Sequence, residues 1–174
     1  HGREAGETDS RTVGEIVEKS LNVGTSLLAL KLGQKKFFDY ITKFGFGKRT
    51  GIELPAESRG ILNDVKRWTE PDIAMISFGQ GVAVTPIQMI AAVQPIVNHG
   101  DKVKPRIVWK FTRKKDLSVD AVPITSEGQI ISAATAKQVV AVLKDTVGTG
   151  TAVGAKIPGY SIGGKTGTAQ KVRQ

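Results

Sequence analysis

Hydrophobic residues recur at helical spacing in the N-terminal third of the chain, and short polar motifs mark where helices begin. Thr12 and Glu15 form a T-x-x-E capping box, which predicts a short helix at this point. A second apolar stretch, residues 25–32, is closed by Gly33, a typical C-terminal cap. A third helix ends at Gly45, and we interpret its apolar face as core packing. That face has the spacing i, i+3, i+4, i+7 and consists of Phe37, Tyr40, Ile41 and Phe44.

The middle of the chain is predicted to be an irregular connection followed by a helix. Residues 45–68 hold several glycines and Pro55, and long loops of this kind are often functional. Residues 85–88 (TPIQ) form a second capping box with proline at the first helical position. The helix should run to about residue 98, with a kink at Pro95.

The last part of the chain is predicted to contain strands and one long helix. Residues 104–113 (KPRIVWKFTR) alternate and favour a strand, paired with a neighbour across the turn 114–116. Ser132 caps a helix through Val147, and residues 160–172 are predicted to be a final strand. Helices that come mostly before strands indicate an α+β fold class rather than alternating βαβ units.

The composition is that of a globular protein. The chain has 174 residues, 40% of them hydrophobic and 24% charged, enough for one domain with a substantial core. No apolar run approaches the roughly 18–20 residues that span a bilayer, so either the protein is soluble or its membrane anchor lies outside this chain. Cysteine is absent and the two histidines, His1 and His99, lie far apart, so we predict no metal site and no cofactor.

The charge balance points to an anionic partner. The chain has 25 Lys and Arg residues against 16 Asp and Glu, a formal net charge of +9, which fits nucleic acid, lipid headgroups or an acidic polymer. The strongest basic run, residues 113–115 (RKK), is followed at once by Asp116 and preceded by Trp109 and Phe111. We interpret this run as a solvated turn between two strands rather than a nucleic-acid site.

The stretch GYSIGGKTGTAQ, residues 159–170, matches two motifs that place a lysine on an anion. Gly159, Gly164, Lys165 and Thr166 fit the phosphate-binding loop G-x-x-x-x-G-K-[ST]. The same residues contain Lys-Thr-Gly, which penicillin-recognising enzymes use to hold a carboxylate. A phosphate loop needs a buried strand before it and a helix starting at the Lys-Thr pair, and the flanking glycines predict neither.

A carboxylate ligand suits this segment better if the segment is a strand. Gly164 and Gly167 leave the backbone open, so a ligand can pair with the strand edge. Lys165 supplies a compact positive charge, while Thr166 and Thr168 fall on one face and offer hydroxyl donors. Strict alternation aims Lys165 at the opposite face, so its stem must curl around or the strand must twist.

A companion motif, KSLNVG at residues 19–24, places a hydroxyl and an amide two residues apart at a helix break. Ser20 alone would be interpreted as a helix cap, but Ser20 and Asn22 can face one cavity. A Ser-x-Asn followed much later by Lys-Thr-Gly gives the second and third motifs of a serine acyl-transfer set whose first motif is Ser-x-x-Lys.

Long stretches of the chain resemble one family, in family order. These stretches are EKSLNVGT, KFGFGKRTGIELPAESRG, SFGQGVAVTPIQMIAAV and VGTGTAVGAKIPGYSIGGKTGTAQK. The chain resembles the transpeptidase domain of class B penicillin-binding proteins over essentially its whole length, and SFGQGVAVTPIQM and TGIELPAE are more similar to the cell-division branch. One departure is that residues 1–174 contain no Ser-x-x-Lys. The chain therefore resembles an internal piece, a partial transpeptidase domain over residues 1–174.

The resemblance implies a fold and a set of site residues. The fold would be part of the penicillin-binding and serine β-lactamase-like transpeptidase fold, an antiparallel sheet flanked by helices, incomplete at both ends. Ser20 would relay a proton, and Asn22 would orient the substrate backbone and the absent motif lysine. Lys165 would hold the terminal carboxylate. The residues that follow it, Thr166, Gly167 and Thr168, would also bind the substrate. The backbone N–H of Thr168 would be one donor of the oxyanion hole.

The resemblance also implies a function. The full-length protein would be a peptidoglycan D,D-transpeptidase that cross-links stem peptides and is acylated by β-lactams, with its nucleophile outside this chain. Its partners would be D-Ala-D-Ala stem peptides, a membrane-bound cell-wall polymerase and division proteins, with no nucleic acid. It would lie on the extracytoplasmic face of the membrane, held by an N-terminal segment. The alternative is a non-catalytic relative that binds stem peptides or partner proteins.

Overall fold

Six α-helices and four short strands form the described part of the chain, residues 10–167, in the computed structural model. The helices are α1 (Val13–Glu18), α2 (Asn22–Leu32), α3 (Gln34–Lys43), α4 (Glu70–Ser77), α5 (Pro86–Val97) and α6 (Ala133–Gly148). The strands are β1 (Asp101–Val103), β2 (Lys110–Thr112), β3 (Val119–Ala121) and β4 (Ser126–Gln129). Short 3-10 turns lie at Val65–Arg67 and Val153–Ala155. Helices with antiparallel strands confirm the predicted α+β class.

The strands pair locally within these residues. β1 pairs with β4 and β2 with β3, each pair antiparallel. In the second pair Phe111 lies opposite Asp120, which confirms the predicted hairpin across the 114–116 turn. The regular strand there is shorter than predicted, because only residues 110–112 have ladder partners.

Helix starts follow the predicted capping motifs. The Thr12 hydroxyl accepts from the Glu15 N–H at 3.2 Å, and the Glu15 carboxylate accepts from the Thr12 N–H at 2.8 Å. These bonds to the ionised carboxylate lower the pKa of Glu15. Thr85 and Gln88 form the second predicted box at α5, and the Ser132 hydroxyl caps α6. Each box satisfies helical N–H groups that have no partner within the helix.

A small aromatic core joins α2, α3 and α4. We call Ala29, Trp68 and Ile73, with the partly buried Phe37 and Phe38, the aromatic core. Both phenylalanine rings meet the Trp68 indole edge to face, with centroids 6.3 and 5.5 Å away.

The predicted apolar face of α3 is confirmed in part. Phe37 and Ile41 pack against the core, whereas Tyr40 keeps 37% of its surface exposed. Phe38, outside the predicted face, packs there instead. The residues of α3 that pack against the core therefore lie nearer to its N-terminus than the predicted face does.

One helix and one helix boundary differ from the prediction. The prediction did not include α4, although Thr69 and Asp72 form a capping box ahead of it. Helix α2 begins at Asn22 rather than at Thr25, so the break that follows Ser20 is short. None of the helices in residues 10–167 is long and apolar enough to span a membrane.

The prediction of a strand over residues 160–172 was wrong for residues 160–167, which form no strand. A strand needs a neighbouring strand to complete its hydrogen bonds, and none of the described strands lies beside this segment. Instead the Gly164 N–H donates to the Leu143 carbonyl of α6 at 3.0 Å. At Gly163 a Cβ would lie 3.3 Å from the Leu143 Cβ, so glycine permits this close contact. Residues 168–172 lie outside the described part.

Candidate active site

Ser20 occupies a strained position at the end of α1. The Leu21 N–H donates to the Ile16 carbonyl at 2.9 Å and the Ser20 N–H to the Val17 carbonyl at 3.2 Å, the pattern of a Schellman turn. Ser20 holds the left-handed position of this turn, with φ of +55°. Glycine is the usual residue there, because a side chain in this region costs about 1–2 kcal/mol. A polar side chain at a strained backbone position makes Ser20 a candidate functional residue.

Asn22 begins α2, two residues after Ser20. Its side chain is exposed and its amide has no hydrogen-bond partner among residues 10–167, while its carbonyl accepts from the hydroxyls of Thr25 and Ser26, each at 2.9 Å. Gly24 brings α2 close to α1, since a Cβ there would lie 2.7 Å from the Ile16 Cγ1. The turn therefore presents the amide beside Ser20 with its hydrogen-bonding groups available.

Lys165 contacts Ser20 directly, although 145 residues separate them. The Lys165 Nζ donates to the Ser20 Oγ at 2.7 Å, and to the carbonyl and the hydroxyl of Thr166 at 3.3 Å each. Partial burial of the ammonium group lowers the pKa of Lys165 from its ordinary value. No carboxylate of residues 10–167 pairs with it, so its charge faces only neutral oxygens. Such a site attracts an anion.

The other predicted site residues are the three that follow Lys165 in the sequence. The Thr166 Oγ1 lies 3.1 Å from the Thr151 Oγ1. Gly167 is exposed, and no atom lies within 4 Å of where its Cβ would be. Thr168 lies outside the described residues. The structure thus brings together Ser20, Lys165 and Thr166, whereas Asn22 forms no hydrogen bond with Lys165.

Two residues absent from the prediction complete this cluster. The Thr151 hydroxyl donates to the Glu18 carbonyl at 3.3 Å, at the end of α1. The close fit of residues 149–151 to Glu18 requires Gly150, where a Cβ would lie 2.6 Å from the Glu18 Cγ. We call Glu18, Ser20, Thr151, Lys165 and Thr166 the hydroxyl–lysine cluster.

The phosphate-loop alternative lacks its structural context here. The 3-10 turn at residues 153–155, rather than a strand, precedes Gly159. Lys165 and Thr166 are irregular and do not open a helix within the described part. A phosphate loop needs both elements to direct backbone N–H groups at its ligand.

The fold and the cluster together define a class of protein. A Ser-x-Asn turn in contact with a Lys-Thr-Gly segment is the arrangement expected of penicillin-recognising serine acyltransferases. The family model described as the penicillin binding protein transpeptidase domain matches residues 2–174. The chain belongs to this family, which confirms the class B resemblance inferred from its motifs.

Individual relatives agree with this assignment. Stage V sporulation protein D of Bacillus subtilis is 44% identical, over 94% of this chain and 25% of its own length. Peptidoglycan D,D-transpeptidase FtsI of Escherichia coli is 32% identical, over 92% of this chain and 26% of its own length. Penicillin binding protein 3 of Mycobacterium tuberculosis, solved in complex with ampicillin, is 36% identical with a TM-score of 0.87, over 93% of this chain and 37% of that one. This chain spans about a quarter of the length of the curated relatives.

Proposed function

We propose that this chain carries the second and third active-site motifs of a peptidoglycan D,D-transpeptidase. The nucleophile is the serine of a Ser-x-x-Lys segment outside residues 1–174. The observation that carries the proposal is the 2.7 Å contact between the Lys165 Nζ and the Ser20 Oγ. This contact supports the proposal because it joins the side chains of two motifs that lie 145 positions apart in the sequence.

The reaction has two acyl transfers. The nucleophilic serine attacks the penultimate D-Ala carbonyl, the peptide C–N bond breaks, and terminal D-Ala leaves after its nitrogen accepts a proton. The amino group of a neighbouring stem peptide then attacks the ester, releasing the serine and forming the cross-link. Both steps need a proton path between the serine and an amine.

Ser20 is suited to this proton path by the direction of its hydrogen bonds. The Lys165 ammonium has donors only, so the Ser20 oxygen must accept from it. The hydroxyl proton of Ser20 then stays available for the amine, while an oxygen lone pair can receive the proton of the nucleophile. The exposed Asn22 amide can hold the substrate backbone and the motif lysine in line with this path.

Lys165 is suited to the substrate carboxylate. Its charge is not neutralised by any carboxylate of the described residues, and Thr166 lies next to it. We assign the terminal carboxylate of the stem peptide to Lys165, with help from the hydroxyls of Thr166 and Thr168 and the open backbone at Gly167. A β-lactam bears a carboxylate in the corresponding place, and a relative's complex with ampicillin supports β-lactams as ligands of this chain.

The cellular setting follows from this substrate. We propose that the protein acts at cell division on the extracytoplasmic face of the membrane, held by an N-terminal segment. Its partners would be a membrane-bound cell-wall polymerase and division proteins, and the resemblance to FtsI supports this setting.

Covalent labelling tests the proposal. The comparison is between residues 1–174 and the same chain extended upstream through its Ser-x-x-Lys segment, which we call the extended protein. After incubation with a labelled penicillin, intact-mass spectrometry should find one adduct on the extended protein and none on residues 1–174. Replacing the serine of Ser-x-x-Lys by alanine is the control and should abolish the adduct.

Two other outcomes have clear meanings. An adduct on residues 1–174 alone would show that the nucleophile has been misplaced, since Ser20 is followed three residues later by Val23 and not by a lysine base. An extended protein that binds stem peptide without any adduct would favour the alternative, a non-catalytic peptide-binding domain.

A further inference from the structure

A chain of hydrogen bonds connects Lys165 to the end of α1. The Lys165 Nζ lies 3.3 Å from the Thr166 Oγ1, which lies 3.1 Å from the Thr151 Oγ1. The Thr151 hydroxyl is in turn 3.3 Å from the Glu18 carbonyl. A second branch runs from Lys165 to Ser20, so both branches end at the same turn.

Only one arrangement of protons satisfies this chain. The Glu18 carbonyl can only accept, so Thr151 donates its single hydroxyl proton there. Since Thr151 has no second proton, its oxygen must accept the hydroxyl proton of Thr166. The Thr166 oxygen can then only accept from the Lys165 ammonium, which is itself a donor only. The hydroxyls of Thr151 and Thr166 therefore each have one orientation before any ligand binds.

The loop that carries Thr151 is fastened to α1 by several contacts. The Thr151 N–H donates to the Glu18 carbonyl at 3.2 Å, and the Thr149 hydroxyl to the Glu18 carboxylate at 2.7 Å. Behind the loop, the Ala152 N–H donates to the carbonyl of the fully buried Thr146 at 3.0 Å. Because Ser20 lies in the turn that directly follows Glu18, both branches of the hydrogen-bond chain end at the C-terminal end of α1.

We propose that Thr151 is a positioning residue of the carboxylate site. Its hydroxyl holds Thr166 in one orientation and, through Thr166, holds the Lys165 ammonium beside Ser20. Lysine has a flexible four-carbon stem, so its charge needs such contacts to stay in one place. The inference rests on the proposed function, because it assigns the anion at Lys165 to the substrate carboxylate.

The test uses paired variants of the extended protein. Thr151→Val keeps the shape of the side chain and removes the hydroxyl, while Thr151→Ser keeps the hydroxyl. The matched control is Thr149→Val, which removes a hydroxyl of the same loop that contacts the Glu18 carboxylate but not Thr166. Each variant is acylated by a penicillin and by the methyl ester of the same penicillin, which lacks the carboxylate charge.

The expected result is a loss confined to one variant and one ligand. Thr151→Val should slow acylation by the penicillin about three- to tenfold, the effect of one neutral hydrogen bond, and leave acylation by the ester nearly unchanged. Thr151→Ser and Thr149→Val should stay within about twofold of the wild type with both ligands. An equal loss with acid and ester, or a matching loss in Thr149→Val, would overturn the inference.

A binding measurement separates this inference from the proposed function. Calorimetry compares an acyl-D-Ala-D-Ala peptide with its C-terminal amide on extended proteins that carry alanine in place of the Ser-x-x-Lys serine, with and without Thr151→Val, so that no acylation can occur. Weaker binding of the acid alone in Thr151→Val supports the inference, and unchanged binding of the acid refutes it. If the wild type forms no penicillin adduct, the proposed function is contradicted. The calorimetric comparison of acid and amide then still decides whether Thr151 positions Lys165.

Discussion

The aromatic core and the hydroxyl–lysine cluster are built in opposite ways. The core is apolar and buried, with Trp68 only 7% exposed between two phenylalanine rings. In the cluster, Ser20, Lys165 and Thr166 are exposed polar residues, and Ser20 has a strained backbone. Burial of apolar surface stabilises a fold, whereas exposed polar contacts contribute little to stability. We therefore expect the aromatic core to determine the stability of the fold and the hydroxyl–lysine cluster to determine its function.

The largest stability effect is expected in the core. Trp68→Ala in the extended protein should lower the free energy of unfolding by about 3–5 kcal/mol, because it removes a buried indole and leaves a cavity. It also leaves the Asn63 carbonyl without the indole N–H that donates to it at 3.1 Å. Denaturant unfolding measures the change.

The second tryptophan supplies the control. Trp109 lies next to strand β2 and is 62% exposed, so Trp109→Ala should change the free energy of unfolding by less than about 0.5 kcal/mol. Comparable losses in the two variants would mean that the hairpin, and not only the aromatic core, supports the fold.

The next effect is expected in the cluster, on function without stability. Lys165→Ala in the extended protein should slow acylation by penicillin about tenfold to a hundredfold, because a charge-assisted contact contributes roughly 1.5–3 kcal/mol. Stopped-flow or mass-spectrometric acylation rates measure it, and the melting temperature should stay close to that of the wild type.

Lys35→Ala is the matched control for charge. Lys35 forms an exposed pair with Asp39 on α3, at 2.9 Å, so its removal lowers the net charge by the same amount at a lysine outside the two motifs. If Lys35→Ala slowed acylation as much as Lys165→Ala, overall charge rather than a local contact would explain the effect.

The difference between the two regions also explains what the sequence could predict. Thr12, Thr85 and Ser132 were placed correctly because a capping motif acts within four residues. The wrong strand at residues 160–167 shows the limit of local patterns, since strand formation depends on a neighbour that the segment does not contain.

The cluster was predictable only where its residues belong to motifs. Ser20 and Lys165 were identified because their motifs resemble a family, and the family is confirmed. Thr151 has no such signal, since its contact with Glu18 joins residues 133 positions apart and one threonine in a glycine-rich loop has no periodicity. The left-handed backbone of Ser20 was likewise invisible, because serine in a K-S-L-N context does not predict a positive φ.

The smallest effect tests the conflict between stability and function at Ser20 itself. Ser20→Gly should raise the free energy of unfolding by about 1 kcal/mol, because glycine adopts the left-handed turn position without steric cost. The same change removes the hydroxyl that accepts from the Lys165 Nζ, so transpeptidation in the extended protein should fall.

Ser20→Ala is the matched control, since it removes the same hydroxyl but keeps a Cβ, and it should lose activity without gaining stability. Denaturant unfolding and cross-linking of an acyl-D-Ala-D-Ala donor measure the two effects. A Ser20→Gly protein that is more stable and equally active would show that the strain at Ser20 serves no function.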